Sequence, residues 1–355
     1  MSKDIQQVME EKGIEAFFIS QIHNVRYLSG YKSDDAFLLI VKDKLYLLTD
    51  PRYIEEASEN NTGYITINWR ECNGVGRTVA RLISSESINS LHVEENNISF
   101  DLFNQLHKET TVEIIPIEGI VEDLRSVKRL DEIECLRKAC EIGDKAFSKI
   151  LGDIKEGITE RQLSAKLGYY LKNEGSDARG YENITLSGAR TSLLHGIPSD
   201  KEIQEGDLIL MDFGAGYQGY LSDMSRTVVL GKASEKQREM YAVIKKSEED
   251  MIASVRAGVE IKSTYMASLM AMEGSQYEKY HYTGVGHGIG LAVHERPFIG
   301  PRSESSFVAN NIITLEPGIY IPKWGGVRIE DQVLVTHDGC EVLTKSPRHL
   351  IEISN

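Results

Sequence analysis

The chain has 355 residues and a net charge of −14, which argues against nucleic acid or an anionic membrane as its main partner. Hydrophobic residues make up 41% and charged residues 26%, an ordinary globular composition with enough chain for two domains and a sizeable core. The stretch Met1-Ser2-Lys3-Asp4-Ile5 is not an apolar signal segment, and runs such as 36–41 are far too short to span a bilayer.

In chain order, residues up to about Leu124 read as an α/β domain. A polar helix over 4–12 precedes a buried-type strand over 16–20. Residues 24–30 lead to a turn at Gly30. Strands over 36–41 and 45–49 form a hairpin across Lys42-Asp43-Lys44. A helix over 53–60, a strand over 64–67, a helix over 76–84 and strands over 91–93 and 112–115 complete this part. His23, His92 and His107 stand apart and read as surface or core histidines. Cys72, Cys135, Cys140 and Cys340 form no C-x-x-C pair. They read as reduced thiols in a cytoplasm and not as a zinc site.

The charged segment 124–129 marks a boundary between domains 1–124 and 125–355. A long helix follows over 131–153, with Ile133, Leu136, Cys140, Ala146, Phe147 and Ile150 near helical spacing. Thr159 with Gln162 predicts a capping box for the next helix, which Gly175 stops. A strand over 182–188 leads to a loop that presents His195 next to Gly196. Helices over 234–256, capped by Ser234, and over 263–273 come later. No nucleic-acid motif, low-complexity segment or heptad run is present.

The chemistry concentrates in two hairpins. In the first, the apolar run 208–211 ends in Asp212, a glycine-rich turn follows, and the chain returns through Asp223 into 226–230. An acid inside an apolar strand needs a reason. Gly214-Ala215-Gly216-Tyr217-Gln218-Gly219 fits G-x-G-x-x-G, but a dinucleotide fingerprint opens a helix, whereas Thr227-Val228-Val229-Leu230 reads as a strand. In the second hairpin the run 312–320 contains Glu316. It turns at Lys323-Trp324-Gly325-Gly326 and returns over 327–335 with Glu330. Helix, helix, hairpin repeats in both halves, so the two units read as halves of one pseudo-symmetric site. Between them, glycines surround His287 and let a backbone pass close to something; His294 follows.

Asp212, Asp223, His287, Glu316 and Glu330 therefore bring four carboxylates and one imidazole together. Without cations, repulsion and desolvation would raise the carboxyl pKa values and weaken the fold. Two divalent cations balance the four negative charges, and a two-cation site generates a nucleophilic hydroxide near neutral pH. Oxygen-rich ligands with one imidazole suit Mn²⁺, Co²⁺ or Zn²⁺ better than copper.

With these residues the sequence resembles the two-domain Xaa-Pro peptidases, prolidase and aminopeptidase P, of the pita-bread metallopeptidases. Asn24-Val25-Arg26-Tyr27-Leu28-Ser29-Gly30 and Thr49-Asp50-Pro51-Arg52-Tyr53 look like the creatinase-type N-terminal domain. Asp212-Phe213-Gly214, Ser222-Asp223, Gly286-His287-Gly288-Ile289-Gly290, Leu315-Glu316-Pro317-Gly318 and Arg328-Ile329-Glu330-Asp331 match the metal-site motifs. The resemblance covers nearly the whole chain. It implies a creatinase-type α/β domain followed by an α+β pita-bread catalytic domain, and dinuclear hydrolysis of the bond before proline in short peptides.

It further implies that Asp212 binds one cation, His287 and Glu316 the other, and that Asp223 and Glu330 bridge them. His195 corresponds to a histidine near the scissile bond, and His294 to one that holds the substrate carbonyl and developing oxyanion. Glu316 would also carry a proton to the leaving nitrogen. Arg328 lies two residues from Glu330 along the strand and points the same way; it is expected to partner a ligand carboxylate, the alternative being a surface salt bridge. The loop 31–35 is similar in place to one that reaches a neighbouring subunit's active site, which implies a homodimer. Leu194 and Ala292 depart from the family pattern, where proline and an acid are common, and are expected to bear on specificity. The rivals are a metal-independent creatinase-like hydrolase, disfavoured because all five ligands are present, and a non-catalytic pita-bread binding protein. Dipeptidase and aminopeptidase remain open.

Overall fold

Alternation within continuous apolar strands fixes the first part of the molecule. Phe17, Ile19, Leu38, Ile40, Leu45 and Leu47 pack into one cluster, while Ala16, Phe18, Leu39, Val41, Tyr46 and Leu48 pack into another. Successive side chains point to opposite faces of a strand, so runs without polar residues need cover on both faces. The computed structural model describes residues 3–32, 35–59, 63–178 and 182–354. It divides into compact units at 1–125 and 126–355.

Unit one contains α1 Lys3–Glu11, β1 Ala16–Ile19, α2 Ile22–Ser29, β2 Ala36–Val41, β3 Lys44–Thr49, α3 Ile54–Glu59, β4 Ile65–Asn68, α4 Val75–Ser84, β5 Ser90–Glu94, α5 Phe100–Glu109, β6 Glu113–Ile117 and α6 Ile120–Ser126. The strands form one mixed sheet in the order β4-β3-β2-β1-β5-β6. The expected turn at 24–30 is the end of a helix. Gln21 caps its start by accepting from the Asn24 amide, and Gly30 closes it in the left-handed region at φ 74°. Glu94 reinforces that start by accepting the Ser20 and Gln21 amides, both at 2.7 Å. Of the loop from which a dimer is expected, Ser33 and Asp34 lie outside the described residues.

Unit two opens with α7 Leu130–Ile150 and α8 Glu160–Asn173. Both halves of the Thr159–Gln162 capping box form, as do those of Ser234–Gln237 at the start of a later helix. After β7 Ile184–Ser187 come β8 Leu208–Phe213, the short β9 Gly216–Tyr217 and β10 Tyr220–Leu221, and β11 Met224–Leu230. Then follow α9 Glu235–Ser254, α10 Ile261–Met270, β12 Gly286–Gly288, β13 Glu295–Ile299, β14 Ile312–Leu315, β15 Gly318–Ile321, β16 Gly325–Arg328, β17 Asp331–Val335, β18 Cys340–Val342 and β19 Glu352–Ile353.

Two larger sheets result, ordered β19-β11-β8-β7 and β13-β12-β14-β17-β18. Each carries its own helix pair. Ile142, Phe147, Leu163 and Leu167 from α7 and α8 pack with Ile209, Met211, Phe213 and Val228 of β8 and β11. Met251, Ile261 and Tyr265 from α9 and α10 pack with Ile313, Leu315, Val333 and Val335 of β14 and β17. The helix, helix, hairpin repeat is thus a repeat of packing, and it is the pita-bread arrangement. The second hairpin differs from its expected form: each long strand is broken at its acid. β14 pairs with β17, and β15 pairs with β16 in a separate two-stranded sheet. Pro317 has no N–H to continue the ladder past Glu316. The four cysteines are thiols, not disulfides, and no helix among the described residues is long and apolar enough to cross a membrane.

Candidate metal centre

The register of the two hairpins brings the acids together. On the first ladder Asp212 lies opposite Ser225, and Asp223 directly precedes β11. On the second, Leu315 lies opposite Asp331, so Glu316 and Glu330 leave the same end. Between them, β12 is pressed against both neighbours. A Cβ on Gly286 would stand 2.2 Å from the Thr314 carbonyl oxygen, and one on Gly288 2.1 Å from that of Arg296. Only glycine permits that approach, and it holds His287 at the floor of the cavity.

One cavity of about 360 Å³ is lined by Asp212, Asp223, His287, Glu316, Glu330, His195, His294 and Arg328, so all eight residues singled out from the sequence meet there. Glu182, Ile184, Leu194, Tyr282, Val293, Phe298 and Tyr320 complete its walls. The volume falls in the range of small-ligand sites. Oxygens of Asp223 and Glu330 and a ring nitrogen of His287 lie within 4.8 Å of one another. His287 Nε2 stands 3.5 Å from Glu316 Oε1 and 3.8 Å from Asp223 Oδ2. Asp212 accepts a hydrogen bond from Arg328 Nη2. The ring of His294 meets that of His287 edge-on, with centroids 4.4 Å apart. His195 stands exposed at the mouth.

The electrostatics are those of a site built for positive charge. Burial pushes Glu330 well above the usual carboxylate range, and Asp223, Glu316 and Asp212 add to the shift. Burial likewise pushes Glu316 up to about 7, despite Arg328 nearby. Burial pushes His287 down to about 4, so its ring is neutral at pH 7. Its Nδ1–H donates to the Gly288 carbonyl oxygen at 3.0 Å, which leaves the Nε2 lone pair facing the acids. Glu330 Oε1 is buried and takes no hydrogen bond among the described residues. An orphaned carboxylate oxygen beside a neutral imidazole lone pair fits a divalent cation and little else.

The sign of the Glu330 shift gives a test. An acid whose folded pKa is raised is neutral in the fold at low pH, and its stabilising contribution is lost as pH rises above the unfolded value. Glu330→Gln cannot ionise. In EDTA-treated protein this variant is therefore expected to melt close to the wild type at about pH 4, below the unfolded pKa of a glutamate, and above it at pH 8. Equal melting temperatures at pH 8 would show that the carboxyl is not held against its ionisation.

Sequence reasoning found the acids, the histidines, Arg328 and Leu194, but not the other walls or the groups that hold Arg328. Tyr320 accepts from Arg328 Nη1 at 2.9 Å, and Ser225 accepts from Arg328 Nε at 2.8 Å. The available signal was period two: Asp223, Ser225 and Thr227 fall on one face of the strand that Arg226 and the apolar run 228–230 continue. Tyr282 and Phe298 had no such signal.

Known proteins resemble the chain over nearly its whole length. Residues 134–337 match the model of metallopeptidase family M24, and residues 2–127 that of the creatinase/prolidase N-terminal domain. An Xaa-Pro dipeptidase of Pyrococcus horikoshii is 33% identical over 98% of each chain. Among solved structures, an Xaa-Pro dipeptidase from Bacillus anthracis superposes with a TM-score of 0.94 at 34% identity, covering 99% of this chain and 98% of that one. An X-Pro aminopeptidase from Thermotoga maritima gives 0.91 at 31% identity, covering 99% of each.

Proposed function

The chain belongs to metallopeptidase family M24 and carries a creatinase/prolidase N-terminal domain, and from that premise we propose that it hydrolyses the peptide bond before proline in short peptides. The observation that carries the reading is the unpaired Glu330 Oε1 beside His287 and Asp223. Asp212 would hold one cation, His287 and Glu316 the other, with Asp223 and Glu330 shared. Bound there, two divalent cations supply a water acidic enough to attack at neutral pH and polarise the scissile carbonyl. The oxygen-rich donor set favours Mn²⁺, with Co²⁺ and Zn²⁺ as alternatives.

The remaining steps fall to the protein. Arg328 holds the Asp212 carboxylate in place. Glu316 takes the proton from the attacking water and passes it towards the proline nitrogen, which has no N–H of its own and must be protonated to leave. His294 donates to the oxygen on which charge develops, and His195 steadies the leaving side from the mouth. Leu194 in the wall bears on which side chains fit. The similarity of the loop 31–35 supports a homodimer, and four cysteines that are thiols and not disulfides favour a reducing compartment such as the cytoplasm.

The deciding experiment uses Mn²⁺-loaded protein with Ala-Pro and Ala-Pro-Ala, and EDTA-treated protein as control. Metal-dependent cleavage of at least one is expected. Cleavage of the dipeptide alone marks a dipeptidase, and release of alanine from the tripeptide marks an aminopeptidase. Cleavage that survives EDTA, or none at all, overturns the reading.

A further inference from the structure

The backbone of Glu330 is fixed from both sides. Its amide donates to the Ser225 carbonyl at 3.1 Å, and its carbonyl accepts from Arg226 Nη1 at 2.6 Å. Only the side chain is left to be placed, and its last torsion is intrinsically broad. Ser225 meets that need. It is fully buried, and its hydroxyl accepts from Arg328 Nε at 2.8 Å while donating to Glu330 Oε2 at 2.7 Å. A serine hydroxyl has one proton. With Arg328 on its lone pair, that proton is aimed at Glu330. Arg328 also holds Asp212, so one guanidinium and one hydroxyl link a carboxylate of the first hairpin to one of the second.

We propose that Ser225 is a positioning residue: its hydroxyl turns the Glu330 carboxylate so that Oε1 is the oxygen presented to the cation. The inference rests on the metal-centre reading above. Without the hydroxyl, Glu330 Oε2 and Arg328 Nε both lose a partner, while the backbone bonds that hold Glu330 remain. The effect should therefore fall on metal affinity more than on folding.

The test is calorimetric titration of EDTA-stripped full-length protein with Mn²⁺, for wild type, Ser225→Ala, Ser225→Cys and Ser225→Thr. Melting temperatures of the metal-free forms, and kcat and KM at saturating Mn²⁺, complete it. Outer-sphere partners of ligands are worth about 10–100-fold in metal affinity, and Ser225→Ala should lose that much. Its metal-free form should melt somewhat lower, because two buried groups lose a partner, but should still fold cooperatively; its kcat should fall, and its KM should not change. Ser225→Cys keeps the volume with a weak donor and should weaken binding in the same direction, which covers an alanine variant that fails to accumulate. Ser225→Thr restores the hydroxyl and should restore affinity. Wild-type affinity in both the alanine and cysteine variants, or equal losses in threonine and alanine, would overturn the proposal and leave the metal centre standing. A wild type that takes up no Mn²⁺ would overturn both.

Discussion

Asp223→Asn is expected to abolish metal-dependent hydrolysis and, with it, the rise in melting temperature on adding Mn²⁺. Asp223 is buried and shares its space with His287 and Glu330. Its amide donates to Gln332 Oε1 at 3.1 Å, so the backbone is held and the side chain has little room to move. Asparagine keeps the shape but removes one negative charge and places N–H donors where a cation would sit. A ligand to a two-cation site contributes several kcal/mol of charge stabilisation, and about 4 kcal/mol corresponds to about 10³ in rate. A fall of that order or larger in kcat/KM is expected. Cation present at about a thousand times its dissociation constant stabilises a fold by about 4 kcal/mol, and the variant should lose most of that. Its metal-free form should be at least as stable as wild type, because one member of a crowded set of like charges is gone. That separates loss of the site from loss of the fold. Full activity in Asp223→Asn would falsify the two-cation mechanism.

How much of this was legible in the sequence depends on the range over which each feature is encoded. Helix starts at Thr159 and Ser234 were legible because a capping box spans four consecutive residues. The first hairpin was legible because an apolar run, glycines and a second apolar run are adjacent. The helix over Phe100–Glu109 had a local signal too: Ser99 accepts from the Leu102 amide, and Leu102, Phe103 and Leu106 lie near helical spacing. That pattern was not read. Gly30 was read as a turn, when it closes a helix whose start is fixed by Glu94 from a distant strand. The break of the second hairpin at Pro317 was written in the proline itself. The candidate ligands were legible because acids are anomalous inside apolar strands. Of their supports, Arg328 was legible because it lies two residues from Glu330 on the same strand face, whereas Ser225 and Arg226 were not, because a buried serine or arginine on a strand gives no hint of a partner about a hundred residues away.

Arg226 is the largest case of such a hidden support, and Arg226→Met is expected to cost about 3–5 kcal/mol of stability, the usual cost of breaking a buried ion pair from one side. The guanidinium is 1% exposed, and all its bonds point inwards. Nη2 donates to Asp331 Oδ1 at 2.6 Å and to the Ser346 carbonyl at 2.8 Å. Nη1 donates to the carbonyls of Glu330 and Ser225, and Nε to that of Pro347 at 3.0 Å. Methionine fills a similar volume but leaves Asp331 fully buried with a charge. Burial pushes the Asp331 carboxyl up, yet Arg226, with hydrogen bonds from its neighbours, brings it below the usual range. Such an acid adds stability above its unfolded pKa and loses it as pH falls, so the deficit of Arg226→Met should shrink under acid conditions. Arg348 Nε, 3.0 Å from Asp331 Oδ2, relieves only part of the loss. Adding Asp331→Asn removes the stranded charge, so the double variant should be less destabilised than the two single changes added together, by about 0.5–3 kcal/mol for residues in one network. Urea unfolding of the metal-free proteins measures this directly, with the slope checked for two-state behaviour. Additive losses would mean that Arg226 acts through packing and its carbonyl bonds. A positive coupling would mean that the charge of Asp331 requires it, and that the break in the second hairpin from which Glu330 projects is held by an ion pair as well as by its strands.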